Sequence, residues 1–217
     1  QEKQKLFEEG KLKKKDLQES IIYKGDDNSY YEKSDKTAHK IDVPYSIPSS
    51  WKWSNLKTTT LFGSFKSVNG NDIPNSAWVL DMEDIEKDTG RILNKHYKVE
   101  TDLFKSNKYI FSKGDVLYGK LRPYLRKVAI ADEPGFVTTE VFPINVTSQN
   151  NPIFFRLLML SPYFSGAVNQ SVYGVKMPRV GTNFLAEMIV PVVPASEQAR
   201  IIEQVQRAFR LVERLGQ

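Results

Sequence analysis

Apolar positions along this chain come in short β-type runs bounded by turn residues, and a helical period takes over only towards the C-terminus. Residues 116–118 and 127–131 read as two strands. Between them lies the loop GKLRPYLRK, in which Lys120, Arg122, Tyr124 and Arg126 stand around the stiff Pro123 and Lys127 opens the second strand. Upstream, residues 1–16 read as the last turns of a helix closed by Gly10, with Leu6, Phe7 and Leu12 as the apolar side chains. Residues 17–42 show little periodicity and many Asp, Asn, Ser and Lys, which predicts a linker over the surface. The stretch VPYSIPSSWKW at 43–53 opens the folded domain, and Trp51 and Trp53 share one face of a strand, as core packing requires. Residues 56–65 are threonine-rich and β-prone, 67–76 form a polar loop, and 77–80 predict a short buried strand. A helical turn fits within 81–90, closed by Gly90, and 101–109 lead into the strand that enters the central stretch.

Beyond the centre, Asn151-Pro152 and Ser161-Pro162 each pair a helix cap with a first-turn proline, predicting two short helices packed on the sheet. Residues 171–183 return to glycine, proline and cations, with Tyr173, Lys176 and Arg179 expected to be exposed in a second contact loop. An apolar strand at 188–193 is broken by Pro191, which places it at a sheet edge. From Pro194 the period changes. Ser196 and Glu197 start a helix in which Ile201, Val205, Ala208, Val212 and Leu215 recur at spacings of four and three, a coiled-coil seam widened by Ile202 and Phe209. These seven residues are expected to meet a partner helix; the other reading packs the stripe on its own domain. The seam still runs at Gln217, which suggests a fragment or half-unit whose helices continue beyond both ends.

The fold class expected is therefore α+β: a mixed, sheet-based domain with short packed helices and a C-terminal helix of coiled-coil type. The chain divides into a helix tail (1–16), a linker (17–42), the domain proper (43–194) and the start of a spacer helix (195–217).

Composition narrows the chemistry. With 217 residues, 40% of them hydrophobic, the chain can bury one principal core. The absence of cysteine excludes disulfides, thiol nucleophiles and cysteine-based zinc sites. His39 and His96 lack partners at ligand spacing and read as ordinary surface or packing residues. No run approaches the ~20 apolar residues of a membrane span and no signal-peptide pattern opens the chain, so a cytoplasmic protein without membrane contact is expected. The net charge is +5, and most of it sits between 113 and 127, where five cations accompany one acid, Asp115.

Arginines beside a tyrosine on a sheet-borne loop suit phosphate oxygens and base edges. The candidate contact set is Lys120, Arg122, Tyr124, Arg126 and Lys127 in one loop, with Tyr173, Lys176 and Arg179 in the other. Asn69, Asn71 and Asn75 offer a third, for adenine-type pairing. Lysines 11, 13, 14 and 15 read as a solvated run or as contacts to a DNA backbone. Two enzyme readings compete: a DNA methyltransferase or a nuclease of a restriction system acting by itself. Asn151-Pro152-Ile153-Phe154 is close to the Asn-Pro-Pro-aromatic motif that holds a flipped adenine, but it lacks the second proline, and no glycine-rich cofactor turn follows an early strand. Asp115, Glu140 and Lys120 lack the compact acid-x-lysine spacing of a nuclease. A protein-binding module with an incidental basic loop is a third reading.

Three stretches together resemble the specificity subunits of type I restriction-modification systems: IPSSWKW at 47–53, GDVLYGKLRPYLRKVAIA with VTTEVFPI within 114–144, and SPYF, GVKMPRVGTNFL and IVPVVPASEQARIIEQV within 161–205. The N-terminal KLFEEGKLKKK resembles the end of the preceding long helix in such subunits. The resemblance implies one target recognition domain that reads half of a bipartite site on double-stranded DNA without catalysis of its own. It implies helices that set the half-site spacing, join a second recognition domain or second copy, and dock methyltransferase (M) subunits, with a restriction (R) subunit joining the complex. It also implies that this chain binds no cofactor, and that S-adenosylmethionine, ATP and Mg belong to the partner subunits.

Overall fold

The computed structural model describes residues 2–10, 12, 17, 20–34 and 37–215, with side chains for all of these except 213 and 215. The expected lysine run at 11, 13, 14 and 15 lies outside them. The chain begins with α1 (Glu2–Glu8), a meander of β1 (Ile21–Lys24), β2 (Tyr30–Ser34) and β3 (Thr37–Ile41), then β4 (Lys52–Asn55) and α2 (Leu56–Thr59). Eight strands follow: β5 (Ser67–Val68), β6 (Trp78–Leu80), β7 (His96–Tyr97), β8 (Lys108–Phe111), β9 (Val116–Gly119), β10 (Val128–Ile130), β11 (Gly135–Thr138) and β12 (Val141–Ile144). The C-terminal part holds α3 (Pro152–Leu160), α4 (Pro162–Ser171), α5 (Thr182–Glu187), β13 (Ile189–Val192) and α6 (Ala195–Leu215).

The centre is the antiparallel sheet β10-β9-β12, in which Tyr118 stands opposite Val128 on one side and Phe142 on the other. Both faces are buried, which is why these strands read as nearly unbroken apolar runs. Strand alternation sorts the side chains into two cores. Val116, Tyr118, Val128, Phe142 and Ile144 pack with Phe155, Met159, Phe164, Leu185 and Ile202 from the helical side. Leu117, Ala129 and Val141 pack with Trp78, Leu80, Phe111 and Val137 of the five-stranded sheet β5-β8-β11-β6-β7. The result is helices on a small sheet on a larger sheet, and each large side chain buried between layers contributes about 1.5–3 kcal/mol.

The local signals at the helix starts act as expected. Asn151 Oδ1 accepts the Ile153 amide to begin α3, and Ser161 Oγ accepts the Phe164 amide to begin α4. Among the described residues the strand with Pro191 pairs only with β4, as a proline-bearing edge strand should.

Two stretches depart from expectation. Leu56–Thr59 is a helical turn, because the Thr59 and Thr60 hydroxyls donate to the Leu56 carbonyl and Thr58 donates to Asn55, local bonds that outweigh β propensity. The presumed linker holds β1–β3, closed by Gly25 donating to the Ser29 carbonyl and by left-handed Asn28. One inward apolar residue, Ile22, and a stacked Tyr23–Tyr31 pair suffice, so no conspicuous pattern marks it. No helix among the described residues is long and apolar enough to cross a membrane.

Candidate nucleic-acid interface

Between β9 and β10 the hairpin opens into a loop that a single 3-10 turn, Pro123–Leu125, fills. Its flanking residues, Arg122 and Arg126, take left-handed backbone at φ 49° and φ 46°. For a residue with a Cβ this costs about 1–2 kcal/mol, so the surroundings must hold the loop. They do so by backbone hydrogen bonds. Gly119 donates to the Lys127 carbonyl at 2.9 Å, Lys120 to Glu140 at 2.9 Å, and Asp88 to Leu125 at 3.1 Å. The segment carrying Asp88 is seated against β10 by Gly90, which has φ +65° and so little room that a Cβ would lie 1.8 Å from the Val128 oxygen.

The second candidate loop joins the first. Tyr173 and Arg179 exchange backbone hydrogen bonds of 3.0 and 2.9 Å, a single β-bridge that closes 173–179 into a short finger-like loop, with Gly174 at φ +89°. Arg122 then donates to the Pro178 carbonyl at 2.7 Å and Val180 to the Lys120 carbonyl at 3.1 Å. Two cationic loops far apart in sequence thus form one edge with a fixed backbone.

Their side chains divide into two groups. Arg122, Tyr124, Tyr173 and Lys176 are exposed, and neither Arg122 nor Lys176 makes a side-chain hydrogen bond or ion pair among the described residues. The others are engaged. Arg126 pairs with Asp88 at 2.6 Å, Lys127 Nζ donates to the Met82 carbonyl at 2.7 Å, and Lys120 Nζ lies 5.3 Å from the centre of the Phe142 ring. Arg179, expected to be exposed, is instead a clamp. Its Nε and Nη2 grip both oxygens of Glu140 at 3.0–3.2 Å while Nη1 donates to the Met177 carbonyl at 3.1 Å, and the carboxylate holds the guanidinium firmly in its charged form. A charge-only reading of the sequence misses this because Asp88 and Glu140 lie outside both loops.

The remaining candidates are accounted for individually. Asn69 accepts the Asn71 amide and Asn75 accepts Lys98 Nζ, leaving the Asn71 side chain open. The residues of the enzyme readings have other partners: Asn151 caps α3, Glu140 holds Arg179, and Asp115 is buried. Asp115 accepts from the Ser112 amide and from Asn145 Nδ2, and burial raises its pKa. Among the described residues no group of three or more His, Asp or Glu side chains is arranged to hold a metal ion.

Helix α6 is anchored by Gln198, which is 1% exposed. Its Oε1 accepts the Asn151 amide at 2.8 Å and its Nε2 donates to the Val193 carbonyl at 2.8 Å. In the sequence Gln198 stands out only as part of the acidic-glutamine start of the helix; its anchoring role comes from the fold. The expected seam splits. Ile202 is buried in its own domain's core and Ile201 packs beside it, a correction to their assignment to a partner helix; Val205 is half-buried. Ala208, Phe209 and Val212 are exposed, as is Leu211, and the Leu215 side chain lies outside the described residues.

Known proteins resemble this arrangement. The EcoDI type I restriction enzyme specificity subunit of Escherichia coli is 30% identical over 164 residues, which is 76% of this chain and 36% of that protein. The HsdS subunit from Thermoanaerobacter tengcongensis matches in fold with a TM-score of 0.68 at 21% identity, over 79% of this chain and 45% of that one. A chain from a structure describing complex assembly and conformational transition of the type I R-M system gives 0.67 at 23% identity, over 79% and 46%. This chain therefore spans less than half the length of those relatives. A family model described as type I restriction modification DNA specificity domain matches residues 63–215, and the chain belongs to that family.

Proposed function

We propose that this chain reads DNA sequence for a type I restriction-modification complex. Residues 43–194 act as one target recognition domain for half of a bipartite site, and 195–217 begin the helix that spaces it from a second recognition domain or second copy. The observation that carries the reading is the edge where 119–127 and 173–180 join, which presents the Arg122 and Lys176 side chains without partners among the described residues, beside Tyr124 and Tyr173 on a hydrogen-bonded backbone. Rigid backbone beneath free arginine, lysine and tyrosine suits phosphate anchoring and base-edge contact. The apolar distal half of α6 supports helix pairing. Methylation and cleavage are assigned to the methyltransferase and restriction subunits, together with S-adenosylmethionine, ATP and Mg. The enzyme readings are not favoured, because Asn151, Asp115 and Glu140 serve local structure.

The test is to map N6-methyladenine across the source genome with and without the intact gene. A split motif that loses methylation on deletion is the expected result. Unchanged methylation, or loss at a continuous motif, would falsify the reading.

A further inference from the structure

The finger at 173–179 ends in an apolar tip. Val175 is 100% exposed and Met177 45% exposed, while Tyr173 at the base is 59% exposed. None of this surface serves the core. A β-branched side chain wholly in water, on a loop whose backbone is tied by the Tyr173–Arg179 pair and by Arg122 donating to Pro178, is presented in place rather than left slack. The cations beside it, Arg122 and Lys176, favour a polyanion over an apolar protein face.

Resting on the proposed DNA-reading function, we propose that Val175 is a specificity-determining residue that reads thymine in the major groove through its C5-methyl group. Groove dimensions support the choice: the major groove, about 12 Å wide, gives a protruding loop closed at its base roughly twice the width of the minor groove, about 6 Å. Base chemistry supports it as well, since the thymine methyl is the apolar group that base edges offer there. Arg179 takes no base in this arrangement. Held by Glu140, it is a positioning residue that fixes the finger's direction.

The experiment uses the full specificity subunit assembled with its methyltransferase partners. Duplexes carrying the mapped motif have each half-site thymine replaced in turn by deoxyuridine, which removes the methyl and leaves the minor-groove edge unchanged. Because one buried methyl corresponds to about a fourfold change in affinity, the expected result is a loss of that size at one or two positions. That loss should vanish for Val175→Ser while the complex keeps its melting temperature, and Val175→Thr should fall between the two. Sequence-specific binding with no thymine-to-uracil sensitivity overturns the proposal, as does sensitivity that Val175→Ser leaves intact or a half-site without thymine. If Val175→Ser instead prevents subunit assembly, the tip is a protein contact and the proposal is wrong. Absence of sequence-specific DNA binding by the assembled wild type defeats the proposed function itself, a different result from uniform tolerance of uracil.

Discussion

The joined loop edge and helix α6 are fixed by different means. The edge is tied where Arg122 donates to Pro178 and Val180 to Lys120, and by carboxylates that clamp Arg126 and Arg179. Among the described residues, helix α6 is held near its start, by Gln198 and the burial of Ile202, and its far half carries exposed Phe209, Leu211 and Val212. In both regions the domain uses some of the residues that the sequence singled out, and what is left over faces outward. At the edge the remainder is charge and aromatic surface on a fixed backbone. On the helix it is an exposed apolar stripe.

The largest expected effect comes from Gly90→Ala, which combines a positive φ with a Cβ driven into the Val128 oxygen. We expect a loss of about 4 kcal/mol or more, seen as a fall in midpoint in denaturant titration. A variant of native stability would mean that the segment carrying Asp88 is not seated against β10, and the edge would be less fixed than described. Next, Ile202→Ala should cost about 2–4 kcal/mol, whereas Phe209→Ala should alter the chain's own stability by less than about 0.5 kcal/mol and weaken subunit assembly instead. Equal losses of stability from the two would erase the division of α6 into an anchored and an open half.

Within the edge, Arg122 and Arg126 share a residue type and a backbone conformation but differ in pairing. Binding of the assembled complex to its duplex should fall with rising salt, and Arg122→Ala should reduce the log–log slope by about 0.9. Arg126→Ala should reduce it by less, because Asp88 already neutralises that guanidinium. If the slopes change alike, the Arg126–Asp88 pair opens on binding and the distinction fails.

The smallest effect concerns Asp115, just before β9. Burial raises its folded pKa above the unfolded value near 4. The folded state therefore binds the proton more tightly, and stability is lost as pH rises from about 4 towards the folded pKa. Asp115→Asn should flatten this decline in thermal melts recorded across acidic pH; an unchanged pH profile would show that the two hydrogen bonds offset the burial.

Much of the fold was legible in the sequence. Asn151-Pro152 and Ser161-Pro162 fixed helix starts because a cap and its target amide lie within three residues. Continuous apolar runs marked β9 and β10, since strands buried on both faces have no polar side. The meander at 21–41 escaped notice because a surface sheet with one buried residue leaves almost no periodic trace. The interface was half legible. Loop composition located the two cationic segments, but the acids that engage Arg126 and Arg179 stand 38 and 39 residues away along the chain.

The sequence by itself determined the strand and helix signals, the two cationic loops, the helical seam and the family resemblance, because caps, turns and periodicity act between near neighbours. Only the tertiary structure decided that the loops form one edge, that Arg122 and Lys176 stay free while Arg126 and Arg179 do not, and where the seam stops serving its own core. Ion pairs and burial act over a few ångströms, and the folded backbone alone says which distant residues come that close.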